Sequence, residues 1–335
     1  MTMIKGHPGF EEGICFDIRP NVSDLKLLKL RNLLIENSTI DGFRGTLSGT
    51  PPFCKPSLFH RAALNLQDFI YSRKINKIIK KHNLLDYDIY HLESGIDFYK
   101  DYRLLPILKN MGKILIANYH GDDFRNQGVS PTMHRLADAN LTCEWDIHFS
   151  YPGSIYEYLP MPEFDGVPVE QITSKVRIVH IIRTREHMPY KGSEAIINAA
   201  QKAIVGRNAE FVFLYGLSHE QVLNELLHSH ILIDQIGGVG GDGYGMIAVE
   251  ALSRGLNVCV EIQPRMETLM PDHPFVNVQS NTLQERLEKL IDDSTYRAKQ
   301  SELGMSWVKK RHGVRTIVDR LYKLYDNLEE KAFKA

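Results

Sequence analysis

Between residues 231 and 258 the chain reads ILIDQIGGVGGDGYGMIAVEALSRGLNV, and six of the nine residues from 237 to 245 are glycine. Gly237, Gly238, Gly240, Gly241, Gly243 and Gly245 follow an apolar run that reads as a buried strand, and a helical pattern comes after them. Glycine lets bare backbone approach a ligand and accepts positive φ, and a helix start offers unpaired N–H groups to an anion. A phosphate carrying a ribose or a sugar satisfies both features. Asp242 and Glu250 bracket the helix entry. The plain alternative is a loop whose glycines only reverse the chain, but six in nine exceed what a turn requires. Gly238, Gly240 and Gly243 also fit G-x-G-x-x-G, with Glu261 at the end of the next strand, which makes a nicotinamide dehydrogenase a rival. That pattern is weak in so glycine-rich a loop.

Three other groups carry chemistry. His120, Gly121, Asp122 and Asp123 directly follow the strand-like KILIANY. Open α/β sheets place ligand groups at such carboxyl ends, and an imidazole there can bond a sugar hydroxyl or a reacting oxygen. The bland alternative is a loop-closing histidine with an aspartate capping the next helix. Residues 183–193 read RTREHMPYKGS, with Arg185 and Lys191 near a helix entry that Ser193 can cap. Two cations beside helix N–H groups suit a diphosphate; a solvated basic loop is the alternative. Residues 73–81, RKINKIIKK, set isoleucines beside a cationic face. Such a segment can touch an anionic membrane surface, although an ordinary surface helix explains it as well.

The elements that must position these groups are expected as follows. Helices are expected over 24–36 and 57–82, the second capped by Ser57, then a strand over 87–92, a helix over 102–111 and a strand over 113–119. Short extended pieces are expected over 141–149 and 155–159, and a linker over 160–168, which holds three prolines. A second series follows, with strands over 176–182, 209–215, 231–234 and 257–261 alternating with helices over 193–205, 219–228 and 245–253. Helices over 281–292, 294–310 and 314–333 close the chain. This alternation argues for parallel α/β structure, with two Rossmann-like domains facing across a cleft and ligands at the carboxyl ends of the strands. The first 60 residues are the least legible.

Composition agrees with a globular chain of two domains: 335 residues, 43% hydrophobic and 24% charged. A net charge of −1 gives no argument for nucleic acid binding. No apolar run is long enough to suggest a membrane span, and MTMIKGHPGF lacks a signal-peptide core. Cys15, Cys54, Cys143 and Cys259 have no paired spacing for zinc or a redox dithiol. The expectation is a cytoplasmic protein with free thiols, working in solution or at the inner face of the membrane.

The order of these motifs resembles the retaining GT-B glycosyltransferases, specifically family 4, the glycosyl transferases group 1. DIYHLESGIDFYKDYRLLPILKNMGKILIANYHGDDFR is similar to the end of that family's N-terminal domain, RTREHMPYKGSEAII to the R…KG segment opening its C-terminal domain, and DGYGMIAVEALSRGLNV to its E-x7-E element. The match runs from about Tyr87 to about Glu329. It implies an N-terminal domain over 1–165, a nucleotide-sugar domain over 170–312, and a C-terminal helix over 313–335 packing back on the first. It implies that Glu250 holds ribose hydroxyls and that Asp242 faces the donor sugar, with aspartate where the family has glutamate. Backbone N–H groups of Gly243, Tyr244 and Gly245 meet the donor phosphates. Lys191 binds phosphate together with Arg185 or, if the spacing shifts, Arg183. His120 contacts the donor sugar, with Asp122 beside it. The start departs from the family, since Gly6 and Gly9 are the only candidates for its glycine-rich acceptor loop and no clear strand precedes them.

The implied reaction moves a sugar from a nucleotide-diphosphate sugar to an acceptor hydroxyl with retention, without metal or other cofactor. The leaving phosphate accepts the proton, and protein cations hold its charge. The acceptor is a glycan, a lipid-linked saccharide or a small molecule, and glycan or cell-surface polysaccharide synthesis is the expected setting. A nucleotide-sugar epimerase, a dehydrogenase, or a catalytically silent sugar-nucleotide-binding protein are the alternatives.

Overall fold

The computed structural model describes residues 24–37, 51–164, 175–237 and 243–334. Two compact units emerge, one formed by Met1–Glu157 with Lys323–Ala335 and the other by Tyr158–Tyr322.

In the first unit, α1 (Leu25–Glu36) lies on the long helix α2 (Leu58–Lys81), whose first turn is capped by the Ser57 hydroxyl accepting from the His60 N–H. Then come β1 (Ile89–Glu93), α3 (Leu104–Asn110), β2 (Ile114–Tyr119), α4 (Asp122–Gln127), α5 (Pro131–Leu136), β3 (Ala139–Thr142), α6 (Trp145–Ser150) and β4 (Ile155–Tyr156). The four strands form a parallel sheet in the order β1-β2-β3-β4. Ile75 and Ile79 of α2 pack with Leu105 and Leu108 of α3, Leu115 and Ala117 of β2, and Ile147 of α6. The isoleucine stripe of residues 73–81 is thus accounted for by the core, which leaves Lys77, Lys80 and Lys81 as an exposed face.

Residues 141–149, expected to be extended, instead divide: β3 ends at Thr142, and α6 occupies Trp145–Ser150. Trp145, Ile147 and Phe149 alternate with polar residues and imitate a strand's period of two. The short helix is fixed by Arg125, which grips the Asp146 carboxylate through Nε and Nη2 at 2.7 Å and Glu144 at 2.7 Å.

The second unit contains β5 (Val176–Ile182), a 3-10 turn (Arg185–His187), α7 (Met188–Lys191), α8 (Ser193–Ala203), β6 (Ala209–Tyr215), α9 (His219–Leu227), β7 (Ile231–Ile233), α10 (Met246–Ser253), β8 (Asn257–Val260), α11 (Pro264–Leu269), β9 (Val276–Asn277), α12 (Leu283–Asp292) and α13 (Ser294–His312). The last helix, α14 (Val314–Lys334), contributes its residues from Lys323 onward to the first unit, where the Tyr325 hydroxyl meets His91 Nδ1 at 3.2 Å. All five strands of the second sheet run parallel, in the order β6-β5-β7-β8-β9. Every residue of β7 and β8 is buried, as expected of central parallel strands covered on both faces. Pro160–Pro168, read as a linker, is described only as far as residue 164; there Met161 is buried and pairs with Gly313.

His180, in the middle of β5, is fully buried. Its Nδ1–H donates to the Ile233 carbonyl at 2.8 Å, and its Nε2 accepts from the Ser193 hydroxyl at 2.8 Å. Burial pushes its pKa down to about 4, and burial does the same to His312. Both folded values lie below that of an unfolded histidine, near 6.5, so the stability they carry is intact above pH 6.5 and lost as pH falls toward 4. The melting midpoint is therefore expected to drop between pH 6.5 and 4.5, and to drop less in His180→Phe. Equal pH slopes in the two proteins would refute this assignment.

Candidate functional site

The order of the second sheet reverses between β5 and β7, where the crossover after β5 leads to β6 on one side and the rest of the chain builds to the other. Open α/β sheets bind ligands outside the carboxyl ends of the strands at such a point. Asp234 lies there, directly after β7, and is 1% exposed. Its Oδ1 accepts from Lys191 Nζ at 2.6 Å and its Oδ2 from the Gly245 N–H at 2.7 Å. Gln235 joins them: its Oε1 accepts from Lys191 Nζ at 3.0 Å and its Nε2 donates to the Gly243 carbonyl at 2.7 Å. One carboxylate and one amide thus tie the lysine to the start of α10.

Local sequence explains this geometry. Residues 185–191, expected as a loop, form a 3-10 turn followed by the single turn α7, and Gly192 in the left-handed region (φ 65°) joins α7 to α8. A Cβ at Gly192 would lie 2.4 Å from the Ile236 carbonyl oxygen, so only glycine lets the segments pass this closely. The Ile236 N–H donates to the Lys191 carbonyl at 3.1 Å and fixes the lysine beside the end of β7. Ser193, expected to cap α8, is its first residue; Gly192 occupies the cap position, and the serine hydroxyl goes to His180. At the other end of the glycine loop, Gly243 has φ 86°, and the Tyr244 ring packs on Phe275 and Trp307 with its hydroxyl 3.2 Å from His312 Nε2. These contacts anchor the chain just before α10.

The group can hold an anion. An ammonium has three N–H donors, and Asp234 and Gln235 take two of those on Lys191. A helix of eight residues starting at Met246 adds the positive end of its dipole. Glu250 lies on the same helix, its side chain 14% exposed, and accepts from His219 Nε2 at 2.7 Å. Lys191, Gly243, Tyr244, Gly245 and Glu250 are therefore gathered around the entry and first turns of one helix. Arg185 is held elsewhere: its guanidinium stacks over Tyr215 at 4.6 Å and donates to the Tyr215 hydroxyl at 2.5 Å, at the end of the outer strand β6. Arg183 directly follows β5, and its carbonyl accepts from the Gly216 N–H. Asp242 lies outside the described residues, as do Gly238, Gly240 and Gly241. Glu261, the rival reading's ribose contact, accepts from the Gly237 N–H with one oxygen and from Gln263 at 3.4 Å with the other, so it is turned toward its own loop.

His120 belongs to a cluster in the first unit. Its Nε2–H meets the Glu93 carboxylate, and its Nδ1 lies 3.6 Å from Cys143 Sγ. Asn118 Nδ2 donates to Glu93 at 3.0 Å. The sulfur of Cys143 and the carboxylate of Glu93 raise the His120 pKa to about 10. The His120 N–H donates to both oxygens of Asp123, which closes the turn into α4. Asp122 is the first residue of that helix; its side chain lies outside what is described.

Asp234, Glu93 and Cys143 escaped the sequence reading. The available signal was their position, since each closes or directly follows a parallel strand. Among the described residues, no group of three or more His, Cys, Asp or Glu is arranged to hold a metal ion. No helix among them is long and apolar enough to cross a membrane.

No protein-family model and no curated protein matches the chain. Solved structures do. An α-glucosyltransferase in complex with UDP and a 13-mer DNA containing a HMU base aligns with a TM-score of 0.52 at 12% identity, over 76% of this chain and 84% of that one. HepE of Anabaena, in complex with UDP-glucose, aligns with a TM-score of 0.51 at 13% identity, over 76% and 82%. The accessory secretory proteins 1, 2 and 3 of Streptococcus pneumoniae align with a TM-score of 0.50 at 12% identity, over 77% of this chain but 57% of that one. The chain has the fold of the GT-B glycosyltransferases, built from two Rossmann-like α/β units.

Proposed function

We propose that this protein is a retaining glycosyltransferase of the family 4 type. It moves a sugar from a nucleotide-diphosphate sugar to an acceptor hydroxyl in glycan or cell-surface polysaccharide synthesis. The observation that supports this best is the Lys191–Asp234–Gly245 group at the switch point of the second sheet. It sets a cation and a helix N-terminus at one spot, where a leaving diphosphate needs charge held ready. Glu250 holds the ribose hydroxyls, Gly243 to Gly245 line the phosphates, and Arg183, the alternative to Arg185, adds charge. Asp242 faces the sugar. The leaving phosphate takes the acceptor proton as the glycosidic bond forms, so no side-chain base is required. Uridine donors come first among candidates, because HepE was solved with UDP-glucose and the α-glucosyltransferase with UDP.

The test is a melting-shift screen over UDP-, GDP-, ADP- and dTDP-sugars, followed by assay of nucleoside diphosphate release. One donor class is expected to raise the melting midpoint; at about 100 times its Kd the stabilisation is about 2.7 kcal/mol. That donor is expected to release its nucleoside diphosphate when acceptor is present. Stabilisation without release would reduce the protein to a sugar-nucleotide-binding module, and a shift with NAD alone would favour a dehydrogenase. Because the chain's own cations neutralise the diphosphate in this reading, turnover is expected to persist in excess chelator. Loss of turnover that magnesium restores would refute that part.

A further inference from the structure

The carboxyl edge of the first sheet carries a constellation that goes beyond the sugar contact implied for His120. Three neighbouring strands each contribute to it: Glu93 ends β1, His120 follows β2, and Cys143 follows β3. Thr142 holds the last two in register, because its hydroxyl donates to the Tyr119 carbonyl at 3.0 Å while accepting from the Glu144 N–H at 3.1 Å. The result is a thiol 3.6 Å from one imidazole nitrogen, with a carboxylate on the other. A nucleophile within reach of a base, and a third group orienting that base, is the arrangement that activates a cysteine. Cys143 is partly exposed, whereas Cys259 is fully buried with its pKa pushed up to about 12, and burial also raises that of Cys54.

We propose that Cys143, set against the His120 imidazole and backed by Glu93, is a reactive nucleophile and a site of modification by hydroperoxides and soft electrophiles. The thiol chemistry needs no sugar donor, although it shares His120 with the sugar contact that the resemblance implies. With a hydroperoxide, the sulfur attacks one oxygen; the S–O bond forms as the O–O bond breaks. The sulfur is oxidised by two electrons to a sulfenic acid, and the peroxide is reduced. The departing hydroxide or alkoxide takes the proton from His120 Nδ1 and leaves as water or alcohol. With a haloacetamide, an S–C bond forms and halide leaves.

The surrounding charges bear on how the pair titrates. From β1, Glu93 favours the imidazolium, and the pKa of His91 is lowered by burial first and by the charge of His120 as well. Asp123 and Arg125 come from α4, and Glu144 follows the thiol; Arg125 is committed to Glu144 and Asp146. Asn118 of β2 steadies the carboxylate. Among the described residues, His120 is the cationic group set against the sulfur.

The experiment is alkylation by iodoacetamide across pH 5.5–9.5, with the Cys143 peptide resolved by mass spectrometry and Cys143→Ser confirming its assignment. Cys143 is expected to react at pH 6 at least about tenfold faster than Cys54. His120→Gln is expected to remove most of that advantage at pH 6, with Glu93→Gln in between. Dimedone trapping after peroxide treatment is expected to label Cys143 in the native chain and to fade in His120→Gln. Reaction of Cys143 at pH 6 no faster than that of Cys54 in the native protein would overturn the proposal even if the variants failed to fold. So would a pH profile unchanged in a folded His120→Gln.

Discussion

Lys191→Ala is expected to lower turnover by about two to three orders of magnitude, the usual cost of removing one preorganised charge from a leaving group. The loss is expected mainly in kcat, with a smaller rise in KM, because the ammonium matters most as negative charge builds on the departing diphosphate. The structure adds a complication. Asp234 is buried and loses its cation in this variant, and stranding a buried carboxylate costs about 3 kcal/mol of stability or more. Rates are therefore compared well below the melting midpoint. Asp234→Asn provides the control: it retains an oxygen acceptor for the Gly245 N–H but removes the charge that holds Lys191 in place. It is expected to lower turnover by less than Lys191→Ala does. Turnover in Lys191→Ala equal to that of the native chain would remove the lysine from the mechanism.

The second large effect is structural. Gly192→Ala puts a side chain on a left-handed residue and a Cβ 2.4 Å from the Ile236 carbonyl oxygen. The conformational strain and the forced backbone shift together cost about 2–5 kcal/mol. That corresponds to a fall of roughly 5–15 °C in the melting midpoint of a unit this size. The shift also pulls on the hydrogen bond from Ile236 to the Lys191 carbonyl, so donor binding is expected to weaken with stability. Gly206→Ala makes a fitting comparison, because its φ is also positive (72°) but nothing lies within 4 Å of the added Cβ. It is expected to cost only the strain, about 1–2 kcal/mol. A cost at Gly192 no larger than at Gly206 would show that the close approach carries no load.

Much of the fold was legible because parallel sheets write themselves as apolar runs. The strands over 176–182 and 209–215 have the expected bounds, and the long helix after Ser57 begins at the expected cap. What failed was local and short. Residues 145–150 alternate like a strand, and the grip of Arg125, some 20 residues earlier, helps to hold them as a helix. The turns of 185–191 have no apolar period to read.

The candidate site was half legible. Lys191, Gly243, Gly245 and Glu250 announced themselves as anion-binding types near one helix entry. Asp234 read as the last residue of a strand, because its partners, Lys191 and Gly245, are 43 and 11 residues away and are brought to it only by the folded sheet. Arg185 looked like the lysine's companion from spacing alone, yet the Tyr215 ring holds it over the next strand. His120 was read within a polar cluster at the carboxyl end of a strand, with a loop-closing histidine as the alternative; its pairing with Glu93 and Cys143 needs three strands in register. The Asp242 reading lies outside the described residues.

The central claim is that Lys191 and the start of α10 grip a pyrophosphate. The most direct measurement is a crystal structure grown with the nucleoside diphosphate of the donor selected by the melting screen. The prediction is a β-phosphate oxygen within about 3 Å of Lys191 Nζ, hydrogen-bonded to N–H groups of the first turn of α10. A pyrophosphate bound away from that turn, with Lys191 still closed on Asp234 and Gln235, would contradict it.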